Sequence, residues 1–330
     1  MNTLQPMAFT ALLCAALSTA PAFAQDKRQI APGYPVKPIR VLVAVLAGGG
    51  MDMVTRSVAQ RVAERLPVTM VVENVAGAAG AIAVNTVAAA QPDGYTLLSV
   101  SNSLPIGAVF KKFNSDVRTS LQAIQQMSYQ PYMLIVRADA PFRSVQELVA
   151  YARKNPGKLT YGSSGSGSPI HMGTELIEYG AGVDMTHVPY KGNAAAQLDI
   201  AGGRLDMTLT SISGLQLVRQ GKARVLAITA AQRHADYPDV PTIAETIIPG
   251  YEVINAYTLY APAKTPSAIV NALNREVAQV LTDEEFKKKL IADASMPAPA
   301  RSPAEWQKQF VAEIDRWEAV VKKANIKLEE

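Results

Sequence analysis

The chain has 330 residues, 48% of them hydrophobic and 6% aromatic, enough for two ordinary domains and far too apolar for a disordered polypeptide. Its 32 basic and 28 acidic residues leave a net charge of +4. That excess is small and dispersed, and the densest basic run, Lys287, Lys288 and Lys289, follows Glu284 and Glu285 directly, the pattern of a solvated helix face and not of a nucleic-acid surface.

Residues 1–24 form a short apolar run closing on Ala22-Phe23-Ala24, a small-x-small cleavage signal. They predict export to the periplasm with cleavage after Ala24, although the leading segment has no Lys or Arg and only the terminal amine supplies positive charge. Cys14, the single cysteine, lies inside this run, so the mature chain has no thiol for a disulfide, a zinc site or a nucleophile. Leu13 stands where a lipid anchor needs a small residue. No later stretch is long and apolar enough to span a bilayer comfortably.

Residues 41–46 form an almost unbroken apolar run, the mark of a parallel strand buried on both faces. Gly48, Gly49 and Gly50 follow, and then Val54, Val58, Val62 and Leu66 recur every fourth residue, an amphipathic helix. A strand, glycine loop and helix aim unpaired backbone N–H groups and the positive end of the helix dipole at one point, where an anion is stabilised. A dinucleotide fingerprint fails at its third glycine, which is Met53, and Gly50-Met51-Asp52 lacks the Gly-Lys-Ser/Thr of a phosphate loop. Asp52 reads as a first-turn cap whose charge would repel phosphate, favouring a weaker anion held by backbone donors.

The unit repeats. Residues 69–73 are a second strand, followed by a loop through Gly77, Ala78, Ala79 and Gly80, an Ala-rich helix to residue 90, a turn at Gln91-Pro92-Asp93-Gly94, and a third strand at 95–100. Adjacent parallel strands place both glycine loops at one sheet edge, where open α/β sheets bind ligands. Residues 121–138 end in a strand crossing into a second lobe. There a helix at 144–153, a strand at 158–162, a loop carrying Ser163, Ser164, Ser166 and Ser168, and a helix at 170–179 repeat the plan. Strands at 185–188, 205–209 and 224–229, with helices capped by Asn193 and at 215–219, complete it.

Residues 251–260 form the return crossing, and helices at 266–281, 283–293 and 303–324 follow, the last with Trp306, Phe310, Ile314, Trp317, Val321 and Ala324 on its core face. The expectation is an α/β protein of two lobes joined by two crossings, with the glycine loops of both lobes facing a cleft. Lobe 1 is 25–128 plus 252–330 and lobe 2 is 129–251.

Several words carry a family resemblance: Tyr34-Pro35-x-Lys37-Pro38-Ile39-Arg40, Gly48-Gly49-x-x-Asp52, Val72-Glu73-Asn74, Gly77-Ala78-x-Gly80, Pro92-Asp93-Gly94-Tyr95, Asn155-Pro156-Gly157-Lys158, Val188-Pro189-Tyr190-Lys191-Gly192 and Asp239-Val240-Pro241-Thr242. In this order and spacing the chain resembles the periplasmic substrate-binding proteins of the tripartite tricarboxylate transporters, the Bug family, over nearly all of its length after the signal. The resemblance implies a Venus-flytrap binding protein of type II-like architecture that closes on a small carboxylate and delivers it to a membrane permease of that transporter type. It is expected to act as a monomer, with no cofactor and no turnover.

In relatives the ligand carboxylate is held by the two first-lobe loops, partly through water. The implied ligand residues are therefore Gly48, Gly49, Gly50, Met51 and Asp52 with Gly77, Ala78, Ala79 and Gly80. In the second lobe Ser163, Ser164, Ser166, Ser168 and His171 are the candidates for a second polar end of the ligand.

Relatives commonly carry prolines where this chain has Val45-Leu46-Ala47, a small hydroxyl residue at Met51, and a polar residue and proline at Val75-Ala76. Thr208, Thr210, Ser211 and Ser213 follow Asp206, where an ammonium-binding acid is common. These departures predict a ligand without an amine and with an apolar body, such as an aromatic dicarboxylate of the terephthalate type, on whose ring Tyr129 or Tyr132 near the hinge can stack. His171, His187 and His234, the three histidines, do not stand at metal-ligand spacing with other ligands, and the serines do not form a Gly-x-Ser-x-Gly elbow. Transport is one role for such a pocket. A ligand-sensing adaptor of the same fold, presenting the carboxylate to a membrane signalling partner, is the other.

Overall fold

The computed structural model describes residues 30–66, 68–110, 112–211, 214–234, 237–292, 295–324 and 326; the signal at 1–24 lies outside them. Its strands, in chain order, are β1 (Ile39–Val43), β2 (Met70–Asn74), β3 (Thr96–Ser101), β4 (Leu121–Pro131), β5 (Met133–Arg137), β6 (Thr160–Ser163), β7 (Thr186–Pro189), β8 (Met207–Thr210), β9 (Ala223–Ile228), β10 (Ile254–Pro262) and β11 (Met296–Pro297). They form two mixed sheets, one in the order β11-β4-β10-β3-β1-β2 and one in the order β7-β6-β8-β5-β9.

The two sheets share a plan. In the first, β1 runs parallel to β2 and β3, and β10 is antiparallel to β3 and β4. In the second, β6 runs parallel to β7 and β8, and β5 is antiparallel to β8 and β9. Thus β6 occupies the place of β1, and the serine loop after β6 is the counterpart of the glycine loop after β1. Both loops leave the carboxyl edges of parallel strands, the position where such sheets bind ligands.

Local sequence explains the main elements. The helix Gly50–Arg65 buries Val54, Val58 and Val62 on the sheet, as the four-residue spacing predicts. The helix Val145–Lys154 starts at Ser144, whose hydroxyl accepts the Glu147 N–H, and the helix Pro169–Ala181 starts at Ser168 and stops at Gly182 in the left-handed region, a standard pair of start and stop signals. Asn193 is not the cap of its helix: Gly192 is the N-cap, and the Asn193 amide instead donates to Thr210 Oγ1 at 3.1 Å. The first strand ends at Val43, not at residue 46, and Leu46 is 77% exposed. Beyond Val43 the Val45 carbonyl accepts from the Asn74 side chain at 3.1 Å, so the ladder has been replaced by a side-chain bond.

The chain leaves the first sheet at the end of β4, enters the second at β5, and returns between β9 and β10. Thr229, fully buried, fastens the two crossings together. Its hydroxyl donates to the Val253 carbonyl at 2.6 Å and accepts the Tyr132 N–H at 2.7 Å. Its backbone N–H donates to the Tyr132 carbonyl and its carbonyl accepts the Val253 N–H, both at 2.9 Å. The last helix, Pro303–Ala324, packs Trp306, Phe310 and Ile314 into the first core and Trp317 and Val320 into the second. It therefore splints both lobes on the side of the crossings; Val320 is more deeply buried than the predicted Val321.

Thr229→Val keeps the shape of the crossing and removes the hydroxyl. It should lower unfolding free energy by about 1–3 kcal/mol, because a buried N–H loses its acceptor, measured by denaturant unfolding.

Candidate functional site

The glycine loop after β1 is held from inside. Gly48 sits at φ 88° and Gly49 is an N-cap with no side chain to satisfy the first helical turn, which leaves donors for a ligand. Asp52, 3% exposed, accepts the Gly48 N–H on Oδ2 at 2.9 Å and, on Oδ1, Arg56 Nε and Asn74 Nδ2, each at 2.9 Å. Burial pushes its carboxyl upward, but the Gly48 N–H, the Arg56 guanidinium and the Asn74 amide outweigh it and hold the group below the ordinary range,. Gly50 lets the Tyr257 hydroxyl approach, since a Cβ there would stand 3.1 Å from it.

The loop after β2 is unusual in its backbone. Gly77, Ala78, Ala79 and Gly80 take φ values of 131°, 46°, 52° and 92° in succession. For the two alanines this left-handed conformation costs about 1–2 kcal/mol each, and strain of this kind is concentrated at ligand-holding loops.

In the second lobe the serine loop rests on a buried polar cluster. Ser163 is fully buried; its hydroxyl lies 2.7 Å from His187 Nε2 and accepts the Gly165 N–H at 3.1 Å. His171, 4% exposed, accepts the Gly167 N–H on Nδ1 at 3.1 Å and brings Nε2 to 3.5 Å from Glu175. The two imidazoles stack with centroids 4.1 Å apart, and Tyr161 lies against His187 at 4.9 Å. Burial, reinforced by His171 and opposed by Glu175, lowers His187 to about 4. Burial and the neighbouring Glu175 carboxylate push Glu178 up to about 8, while its Oε1 accepts the Met185 N–H at 2.5 Å.

These loops meet around a cleft of about 410 Å³. From the first lobe it is lined by Met51, Gly77, Ala79 and Gly80, with Ala44, Val45, Val100, Ser101, Ser103 and Lys112; from the second, by Ser164, Ser166 and Ser168, with Gly165, Gly167 and Pro169. Seven of the residues expected from sequence thus line one cleft; of the others, Asp52, Ser163 and His171 are buried and Gly48, Gly49, Gly50 and Ala78 are exposed outside its lining. Asp52 is not placed to touch a ligand, because both oxygens are committed to the clasp. Gly48 spends its N–H on Asp52, and Gly49, Gly50 and Ala78 do not line the cleft. Ser163 and His171 face the interior and support the loop from beneath. Ser168 lines the cleft while its oxygen accepts the His171 N–H at 3.2 Å.

Other expectations are corrected similarly. Thr208 and Thr210 are fully buried: Thr208 donates to the Gly162 carbonyl at 2.9 Å, and Thr210 accepts from Asn193 and Gln197. Asp206 is tied to Arg137 and Thr160, and Ser213 lies outside the described residues. Tyr132 packs in the second core and Tyr129 lines a different cavity with Met296 and Pro299. Neither ring lines the cleft. Sequence reasoning passed over Ser101, Ser103 and Lys112, although the rule that ligands gather at carboxyl strand ends applies to β3 as much as to β1 and β2.

Asp52→Ala should lower stability by about 1–3 kcal/mol through the orphaned Arg56 and Gly48 donors and weaken ligand binding through a loosened loop, read together by unfolding and titration calorimetry. His187 takes up a proton in the unfolded chain near its ordinary value of 6.5 but in the folded chain only near 4. Its contribution is therefore complete above pH 6.5 and falls away as pH drops toward 4. His187→Gln should flatten that fall, visible as a smaller loss of Tm between pH 7 and pH 5.

The family model described as "Tripartite tricarboxylate transporter family receptor" matches residues 54–326. The chain is 31% identical over 312 residues to a UPF0065 protein in the tcbD-tcbE intergenic region of Pseudomonas sp. (strain P51), covering 93% of this chain and 92% of the other. Among solved structures it is similar to R. palustris Rpa4515 with adipate, with TM-score 0.75 and 35% identity, covering 90% of this chain and all of that one. It is also similar to MatC (Rpa3494) from Rhodopseudomonas palustris with bound malate, with TM-score 0.73 and 29% identity over 87% of this chain and all of that one. With a family model matching most of its length, two lobes of one plan and a cleft between their carboxyl edges, this chain belongs to the tripartite tricarboxylate transporter receptor family, the Bug solute-binding proteins.

Proposed function

We propose that this chain is a periplasmic receptor that captures a small organic carboxylate in the cleft between its lobes and delivers it, unchanged, to a membrane permease of the tripartite tricarboxylate transporter type. The observation that carries this reading is the chemistry of the wall. Its described residues offer backbone N–H groups, serine hydroxyls and an ammonium group, and no carboxylate. Such a surface complements an anion and offers no counter-charge for the ammonium of an amino acid.

The ligand class is narrowed by the apolar part of the wall, which is Ala44, Val45, Met51, Val100 and Pro169. Aliphatic side chains favour a ligand with an apolar body, and relatives that carry adipate and malate support a dicarboxylate. Terephthalate is the rigid aromatic member of that class and adipate the flexible one. Contacts are assigned to Met51, Gly77, Ala79 and Gly80 on the first lobe and to Ser164, Ser166 and Ser168 on the second, with bridging waters where direct reach fails.

The lobes are taken as 25–128 plus 252–330 and 129–251, moving about the Tyr132, Thr229 and Val253 junction, and ligand bridging of both lobes shifts them toward the closed state. Export with cleavage after Ala24 and a monomeric receptor complete the reading.

The test is a thermal-shift panel on the chain from Gln25 onward, with adipate, terephthalate, malate, citrate, benzoate and glutamate. A binder at a hundredfold excess over Kd should add about 2.7 kcal/mol of apparent stability. A shift with dicarboxylates and none with glutamate is expected. Silence from every acid would overturn the carboxylate reading.

A further inference from the structure

We propose that Lys112 is the specificity-determining residue of the cleft, selecting ligands that carry a second carboxylate at the end away from the glycine loops. This rests on the carboxylate-receptor reading and adds to it a charge requirement and a placement. Lys112 is the one ionisable side chain among the described residues of the wall. Its backbone N–H donates to the Gly107 carbonyl at 3.0 Å, and among the described residues its ammonium group has no ion-pair or hydrogen-bond acceptor. The residue is half-buried. Among the described residues Arg56, on the helix that follows the first glycine loop, is by contrast engaged by Asp52 and Asn74. An ammonium group with no protein counter-charge, in a wall that carries no carboxylate, complements an anionic group of the ligand,.

The sheet order gives the placement. Lys112 follows the short helix Ser103–Val109 that leaves β3, whereas Gly77 to Gly80 follow β2, and β1 lies between these two strands. Two strand spacings put the β2 and β3 ends about 10 Å apart along the same edge, and Ser101 at the β3 end and Lys112 beyond the helix that follows both line the cleft. A carboxylate received by the N–H groups of the glycine loops leaves the Lys112 end of the cleft to a second anionic group, with an apolar body across Val45, Met51 and Val100 between them. The Ser101 and Ser103 hydroxyls, 2.9 Å apart and facing the same cleft, supply further donors beside the ammonium. A ligand with one carboxylate satisfies the loops and leaves Lys112 unpaired.

The experiment measures Kd by calorimetry for straight-chain dicarboxylates from succinate to suberate and for the monocarboxylates of equal length, on the wild-type chain, Lys112→Met and Lys112→Arg. The wild type should prefer the dicarboxylate of the best-fitting length over its monocarboxylate. Lys112→Met should weaken that dicarboxylate by about 10- to 100-fold, the range for a hydrogen bond to a charged group, while changing the monocarboxylate by no more than about 3-fold, and Lys112→Arg should recover part of the loss. Equal losses for both ligand types, or an unchanged dicarboxylate Kd in a Lys112→Met chain that melts at the wild-type Tm, would overturn the assignment and leave the receptor reading standing. A wild type that binds no carboxylate would overturn the receptor reading and this one with it.

Discussion

The structure depends on the knot at Thr229. Two separate strand-to-strand crossings must meet if two lobes are to move as rigid bodies about one axis, and a buried threonine joins them with its hydroxyl, its N–H and its carbonyl. A buried hydroxyl costs free energy unless it is hydrogen-bonded, and here it serves both crossing segments. The last helix adds breadth to the same side of the molecule by placing Trp306 in one core and Trp317 in the other. In the proposed receptor, the gap between the two carboxyl edges is what changes on binding.

Each candidate binding loop is shaped by a buried polar group. In the first lobe Asp52 gathers Gly48, Arg56 and Asn74. In the second, His171 and His187 hold Gly167 and Ser163 from below. Loops built in this way present backbone donors and small hydroxyls in prearranged positions, so little ordering entropy is spent on binding. The positive φ values at Ala78 and Ala79 belong to the same economy, with strain held in the loop by the packing around it,.

Several of the sequence words that mark the family turn out to be joints and not contacts. The Tyr34 hydroxyl donates to the Gly94 carbonyl at 2.7 Å, Lys37 meets Asp93 at 3.3 Å and lies over the Tyr95 ring, and Arg40 pairs with Glu73 at 2.8 Å. Thr242 and Glu245 form a reciprocal capping box, while the Pro241 carbonyl receives the Ile228 N–H. Words far apart in the chain are thus adjacent in space. They fix the frame on which the cleft is built.

The sequence by itself determined the alternation of strands and helices, the two glycine loops and the serine loop. Each of these is written in local chemistry: periodicity, glycine where the backbone turns, serine at a helix start. The equivalence of the two lobes was legible too, because the same strand, loop and helix order recurs. Which atoms face the cleft was decided only by tertiary structure. Asp52, Ser163 and His171 carry the right chemistry for a ligand and are engaged by neighbours, Asn74 and His187 delivered by the fold from elsewhere in the chain and Glu175 from the next turn of the helix that carries His171. Lys112 has no motif around it and reaches the wall of the cleft only by way of the helix that follows β3. A linear pattern records what a residue can do, while burial and the order of strands determine which partner it meets first.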